Sequence, residues 1–477
     1  MLDESLLDAP DALARADTRG LLRGAAESGA RVRAAARHAA EAGIPGLQPD
    51  GRPRAVHVAG PGAAGSCTAD LLAALTGGSC PVSLIAPTGV APAPGALRWT
   101  LPGWAGPMDL LLIATPDGTE PGLPLLVEQA YRRGCNIVAV APARSPLAEA
   151  VGQARGLAVP LAVSPYTTTY ATAPYDDEAA AASAEPVAGA LDPRGPGWPG
   201  GTGTGPSTRT GPETGSQTGP EPAPETAPET APETAPGAGP EPPPGGPHPP
   251  HTLHHGTGHA EDPLGTAPGE TTGPALPGTL WALLTPLLVL VDRIGLVAAP
   301  PSALEQVADR LDRVAERCGP AIATYSNPAK TLAAELAGAL PLIWTEGLVA
   351  GAAGRRCAGL LAALAGRPAL VAELPGALAA HGMLLTGAFA GGANPEDFFR
   401  DRVEEPEALH ARVVLFRDQP VTEFSAAPTA RELALAHDTP VSELEPAEGS
   451  PLEAAAELLA IADFAAVYLS LASPEGS

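Results

Sequence analysis

The stretch from Asp109 to Ala143, DLLLIATPDGTEPGLPLLVEQAYRRGCNIVAVAPA, limits the fold more than any other part of the chain. Leu110 to Ala114 is a continuous apolar run, the pattern of a strand buried on both faces of a parallel sheet. A turn-rich loop follows, Thr115 to Gly122, and then Leu123, Leu126, Val127 and Ala130 recur at helical spacing. Arg132 and Arg133 suit the carboxyl end of that helix, Gly134 stops it, and Ile137 to Val140 is the next buried strand. A strand–helix–strand unit of this kind needs neighbours of its own type. It also places a loop, Thr115 to Thr119, at the carboxyl end of a parallel strand, where open α/β sheets bind ligands.

The flanking sequence supplies those neighbours. Strand patterns recur at Ala55–Ala59, Val82–Ala86 and Leu157–Leu161, with helical patterns at Cys67–Leu75 and Leu147–Ala154. Five strands alternating with helices make a doubly wound parallel sheet over residues 51–165. Residues 1–50 form a helical preface in which Leu21, Ala25, Ser28 and Val32 share a face expected against the first sheet, with Arg31, Arg33 and Arg37 solvated. Residues 279–477 show a second, less regular alternation. Trp281 to Cys318 reads as helix with a break at Ala299–Pro301 and a restart capped by Ser302, three residues before Glu305. Ile322–Tyr325 and a helix at Thr331–Ala337 follow, then strand patterns at Pro341–Trp344, Ala369–Ala372 and Val413–Phe416, with Arg431–Ala436, Val441–Leu444 and a closing helix at Leu452–Leu471 completing the region. The fold class is α/β, two parallel-sheet domains joined by residues 166–278.

That joining tract is dominated by Pro, Gly, Thr and Glu, with APET repeats between Ala223 and Pro236. Its apolar content is too low to offset chain entropy, so a disordered linker is expected. His248, His251, His254, His255 and His259 lie in it without an acid or cysteine at ligand spacing, so no metal is expected there. The five cysteines, Cys67, Cys80, Cys135, Cys318 and Cys357, are scattered and form no CxxC pair, which argues for a reduced, cytoplasmic compartment. A net charge of −25 argues against nucleic acid or an anionic membrane as partner. The apolar run Trp281–Val291 is too short to span a bilayer.

Two loops could carry chemistry. Gly60, Gly62 and Gly65 in VHVAGPGAAGS have GxGxxG spacing between a strand and a helix. A dinucleotide reading needs a carboxylate after the next strand, yet Val82–Ala86 runs into Pro87, Thr88 and Gly89. A nucleotide-dependent oxidoreductase is therefore the remote alternative, and a turn that binds one phosphate, or only reverses the chain, is preferred. The Thr115–Glu120 loop offers hydroxyls and amides at a helix start, suited to phosphate. The plain alternative is a βα turn in which Asp117-Gly118 sets the geometry and Thr119 caps the helix.

These segments, with YRRGCNIVAV after them, resemble the first sugar isomerase (SIS) domain. In the second half, Tyr325-Ser-Asn327-Pro328-Ala329-Lys330 with Leu332-Ala333 and Leu340-Pro341-Leu342-Ile343 resembles the NPAK…LA…iP pattern of the bifunctional phosphoglucose/phosphomannose isomerases. Val413–Asp418 and Ala462–Leu469 are similar to that family's VVLLRD and DYVSVYLA segments. The resemblance implies two SIS domains, a homodimer, a sugar phosphate ligand, and aldose–ketose isomerisation of glucose 6-phosphate or mannose 6-phosphate without a cofactor. By the same resemblance Gly62, Ser66, Thr115, Gly118 and Thr119 are the phosphate-binding residues.

The departures from the family are as informative. Its SYSGNTEE loop is Ala114-Thr-Pro-Asp-Gly-Thr-Glu-Pro121 here, and alanines and leucines fill Ala358 to Gly366, where an ENAK glutamate should stand. The family's arginine after the first domain has no counterpart beside Pro165-Tyr166, and its C-terminal lysine has no match after Leu471. Isomerisation through an enediol needs one group to remove a carbon-bound proton and another to shuttle the hydroxyl proton. Glu373 and His381 are the one pair within a short segment able to supply both. The expected function is a phosphosugar-binding, isomerase-like protein with weak or absent turnover; the alternative is a non-catalytic phosphosugar-binding regulator.

Overall fold

The computed structural model describes residues 3–49, 51–89, 97–161, 277–386, 389 and 409–473. The expected linker and its five histidines lie outside the described residues, apart from Pro277 and Gly278. Four helices open the chain: α1 (Glu4–Leu7), α2 (Pro10–Ala16), α3 (Leu21–Ala26) and α4 (Ser28–Glu41). The first alternation is β1 (Ala55–Ala59), α5 (Gly62–Leu75), β2 (Val82–Ile85), β3 (Asp109–Ala114), α6 (Gly122–Arg132), β4 (Asn136–Ala141), α7 (Pro146–Gln153) and β5 (Leu157–Pro160). The second begins with helices α8 (Thr279–Arg293), α9 (Pro301–Arg317) and α10 (Pro328–Leu336). It continues through β6 (Ala339–Glu346), α11 (Leu348–Ala365), β7 (Leu370–Glu373), α12 (Gly376–Thr386), β8 (His410–Arg417), α13 (Ala427–Ala436), β9 (Val441–Leu444) and α14 (Pro451–Ala472).

Each half builds one parallel sheet, in the order β2-β1-β3-β4-β5 and β7-β6-β8-β9. In the first sheet the order reverses between β1 and β3; in the second it reverses between β6 and β8. Those are the topological switch points, where the loops leaving adjacent strands part and open a crevice.

The sheets share one interior. Val56 and Leu110 of the first sheet and Ile343 and Val414 of the second belong to a single apolar cluster, which also takes in α4, α5, α8, α9, α11 and α14. The outer face of the first sheet packs on α6 and α7, and that of the second on α12 and α13. Helix α14 is buried almost throughout, and its start carries a capping box between Ser450 and Glu453. Both α11 and α14 are long and apolar enough to cross a membrane, but here they fill the centre of the molecule, where a helix apolar all round belongs.

Three local expectations are corrected. The helical preface packs chiefly on α8 and α9 rather than on the first sheet. Its Arg33 is not simply solvated, because it pairs with Glu305, Asp309 and Asp312 of α9 at 2.7, 2.6 and 2.7 Å. Ser302 does not cap α9: Pro300 holds the cap position, where it has no side chain able to accept an amide.

Candidate functional site

The first switch point is formed by the β1–α5 turn and the β3–α6 loop. Gly60 is needed for close approach, since a β-carbon there would lie 2.2 Å from the carbonyl oxygen of Ala114 at the end of β3. Gly65 lets α5 pack on the turn, where a β-carbon would meet the Gly60 oxygen at 2.9 Å. The glycine spacing therefore has a packing cause, whatever binds beside it. Helix α5 starts at Gly62, exposed and at φ +67°, with Pro61 at the cap position and no side-chain cap. Its amino terminus presents backbone amides and the positive end of a 14-residue helix dipole. Ser66 lies one turn on, half-buried, its hydroxyl donating to the Ala63 carbonyl at 3.1 Å.

The β3–α6 loop is closed on itself. Thr115 is fully buried; its hydroxyl donates to Asp117 at 3.0 Å and accepts from the Gly118 amide at 3.1 Å. The Thr119 amide donates to the same Asp117 carboxylate at 3.2 Å. Gly118, at φ +66°, sits where a β-carbon would strike the Ser145 hydroxyl at 2.5 Å. Thr119 does not cap α6, whose cap position is Pro121. Of the five phosphate-binding residues expected, Gly62 and Ser66 lie on the first turns of α5. The Thr115 hydroxyl and the Gly118 and Thr119 amides are instead directed to one another and to Asp117. Sequence reasoning gives Glu120 no role. One of its carboxylate oxygens is buried without a partner, and burial, then the neighbouring Asp117, push its pKa above the usual carboxylate range. The signal for it was the Gly-Thr-Glu loop itself.

The second switch point places Gly347 after β6 and Asp418 after β8. The Asp418 carboxylate accepts the amides of Val349 and Ala350, at 2.8 and 3.1 Å, in the first turn of α11. Gly347, at φ +105°, makes room for it: a β-carbon there would be 2.0 Å from Asp418 Oδ1. Burial, opposed by those amides and reinforced by nearby Glu346, pushes Asp418 above its ordinary pKa. Glu346 in turn accepts the Ala426 amide before α13 at 2.6 Å and the Ser425 hydroxyl at 2.7 Å.

Glu373 and His381 flank this edge on opposite sides of the sheet. Glu373 pairs in register with Thr345, so its side chain is on the inner face with α11. There it meets Arg355 at 3.0 Å, and Arg355 also binds Asp70 of α5 at 2.7 Å. His381, on α12, belongs to the outer face, where its Nδ1 accepts the indole N–H of Trp344 at 2.9 Å. Burial lowers the imidazole's pKa, favouring the neutral ring that this bond requires. The sheet separates the two groups, so they do not form an acid–base pair.

Residues that carry the family resemblance hold the interior together. Lys330, the single lysine, is fully buried and donates to the carbonyls of Pro320 and Ile322 at 2.8 and 2.7 Å, over the ring of Tyr468. Asn327 caps α10 through the amides of Ala329 and Lys330 and donates to Gly319, while the Tyr468 hydroxyl donates to Cys318. The NPAK motif and the closing helix thus clamp the carbonyls of Cys318, Gly319, Pro320 and Ile322. Arg356 makes a buried two-pronged ion pair with Asp463, at 2.8 and 2.7 Å, joining α11 to α14. Beside it Cys67 and Cys357 are pushed up to about 12 by burial and stay protonated. Arg310 and Arg317 hold Glu457 in a second network between α9 and α14. Among the described residues no group of three His, Cys, Asp or Glu side chains could hold a metal ion.

Comparison with known proteins bears on these features. Residues 325–474 match the bacterial phospho-glucose isomerase C-terminal SIS domain, which bears out the resemblance carried by Asn327–Lys330, Val413–Asp418 and Ala462–Leu469. No protein of curated function matches. A hypothetical protein from Thermus thermophilus has a similar structure, with a TM-score of 0.50 at 12% identity, over 98% of this chain and 89% of that one. A provisionally assigned phosphosugar isomerase from Silicibacter pomeroyi matches at 0.45 and 14% identity, over 96% and 98%. A glucose-6-phosphate isomerase like protein, also from Thermus thermophilus, matches at 0.30 and 21% identity. That last alignment spans 42% of this chain and 57% of the relative's length.

Proposed function

From a chain whose residues 325–474 match the bacterial phospho-glucose isomerase SIS domain, we propose a protein that binds a sugar phosphate and isomerises it weakly or not at all. The ligand is a hexose 6-phosphate, glucose 6-phosphate or mannose 6-phosphate, held at the first switch point by the start of α5 and Ser66. The protein works as a cytoplasmic homodimer without a cofactor. The observation that carries the reading is the separation of Glu373 from His381 by the second sheet, each already paired, to Arg355 and to Trp344. Binding alone does not lower the barrier to proton transfer, and a positioned acid–base group contributes about 10²–10⁴-fold.

Calorimetric titration with each hexose 6-phosphate, run beside a coupled isomerase assay, tests this. Saturable binding is expected, with turnover well below the ~1–10³ s⁻¹ common among enzymes. Turnover inside that range, or no binding at millimolar ligand, would overturn it.

A further inference from the structure

The second switch point has the topology and helix start of the first, and one thing more: an anion of its own. Helix α11 is 18 residues long, begins after a glycine, and directs its first-turn amides toward the ends of β6 and β8. An oxyanion would settle there on general grounds. The position is already filled by the Asp418 carboxylate, with the Val349 and Ala350 amides at 2.8 and 3.1 Å. Gly347 is shaped to admit that group, and Glu346 supplies a second carboxylate to the neighbouring start of α13. Asp418 Oδ1 is buried without a partner, so the carboxylate is seated deeply enough to leave one oxygen dry. We infer that Asp418 is a built-in anion that excludes phosphate from the second crevice.

The inference rests on the proposed function only in naming phosphate as the ligand class; the exclusion itself follows from the geometry at α11. Removing the carboxylate while keeping Gly347 should expose the two amides at the positive end of the helix. Replacing it with an amide should not, because an asparagine oxygen can accept the same two N–H groups.

Inorganic phosphate is the probe, read by calorimetry and by phosphorus NMR on the full chain. Asp418→Gly should take up one more phosphate per chain than the parent, and Asp418→Asn none more. A parent chain binding two phosphates, or a folded Asp418→Gly gaining none, would overturn the inference. Hydrogen exchange of the Val349 and Ala350 amides in the unaltered protein provides a second measurement that needs no variant. Their rates should not change with added phosphate, and slowing there would also overturn it. If the parent binds no phosphate at all while Asp418→Gly binds one, the proposed function falls and this inference stands.

Discussion

At the first switch point Gly60 makes room for the backbone carbonyl of Ala114; at the second Gly347 makes room for the side-chain carboxylate of Asp418. The two crevices share a topology, a glycine turn and a helix start, yet only the second is filled by the chain's own anion. The difference lies in the residue that follows the later strand of each pair, Thr115 after β3 and Asp418 after β8. Thr115 folds its hydroxyl back onto its own loop, whereas Asp418 reaches across to the neighbouring helix. Similar scaffolds therefore do not imply two similar sites. What a crevice can bind depends on which donors remain after the loop has satisfied itself.

Lys330, Arg356 and Asp463 serve the interior and neither crevice, and Arg356 puts that to the strongest test. Arg356→Met should cost about 3–5 kcal/mol, because it leaves the Asp463 carboxylate buried and unpaired. The double variant Arg356→Met with Asp463→Leu should recover most of that loss, as a buried pair replaced by apolar groups often does. Chemical denaturation of the three proteins measures both. If phosphosugar binding fell with Arg356→Met while stability held, the arginine would belong to a crevice.

The glycines sharpen the comparison directly. Gly60→Ala should cost about 1–3 kcal/mol by overpacking, since the carbonyl it strikes is fixed in the central sheet. Gly347→Ala should cost about as much through its positive φ and the clash with Asp418, but part of this disappears once Asp418 is removed. A double-mutant cycle of Gly347→Ala with Asp418→Gly should show coupling, and Gly60→Ala with Asp418→Gly none. Equal coupling in both cycles would mean that the crevices are not distinguished by Asp418.

The sheets were legible because buried parallel strands announce themselves as apolar runs: Leu110–Ala114 and Ile137–Val140 differ from the observed β3 and β4 only at their ends. Helix α11 was not, because it touches β6, α5 and α14 and so carries no polar stripe to mark its period. The loops of the candidate site were found by glycine and threonine spacing, but the direction of their donors was not, since Thr115 and Gly118 satisfy each other. Glu373 and His381 looked paired because they are close in sequence. Nothing in that spacing says on which face of a sheet each side chain will fall; register with Thr345 decides one and packing beside Trp344 the other.

The outer face of the second sheet contributes a pH effect rather than chemistry. The His381 pKa is lowered by burial, so its folded value lies below the unfolded value of about 6.5. The stability tied to its neutral form is fully present above that unfolded pKa and is lost as pH falls through the folded one. His381→Gln keeps an acceptor for the Trp344 indole without titrating. Below pH ~6.5 the parent should lose stability faster than this variant, by up to about 1.4 kcal/mol per pH unit. Parallel melting curves for the two proteins from pH ~7 to ~5 would show instead that the core does not hold His381 neutral.

Glu373 should show the smallest effect. Its pairing with Arg355 is exposed, and Arg355 keeps a second partner in Asp70, so Glu373→Gln should cost less than about 1 kcal/mol. It should also leave phosphosugar binding and any residual isomerase rate unchanged. The measurement matters because the same ion-pair chain touches α5, where Asp70 lies one turn beyond Ser66. If Glu373→Gln abolished turnover while binding persisted, proton transfer would take place at the junction of α5 and α11, with Glu373 acting from the second sheet on a ligand held by the first. The two crevices would then be halves of one site, and the contrast between them would mark a division of labour. Unchanged turnover instead leaves Glu373 as a surface link between the sheets, and places any remaining chemistry with Glu120 at the first crevice, where a carboxylate oxygen is buried without a partner.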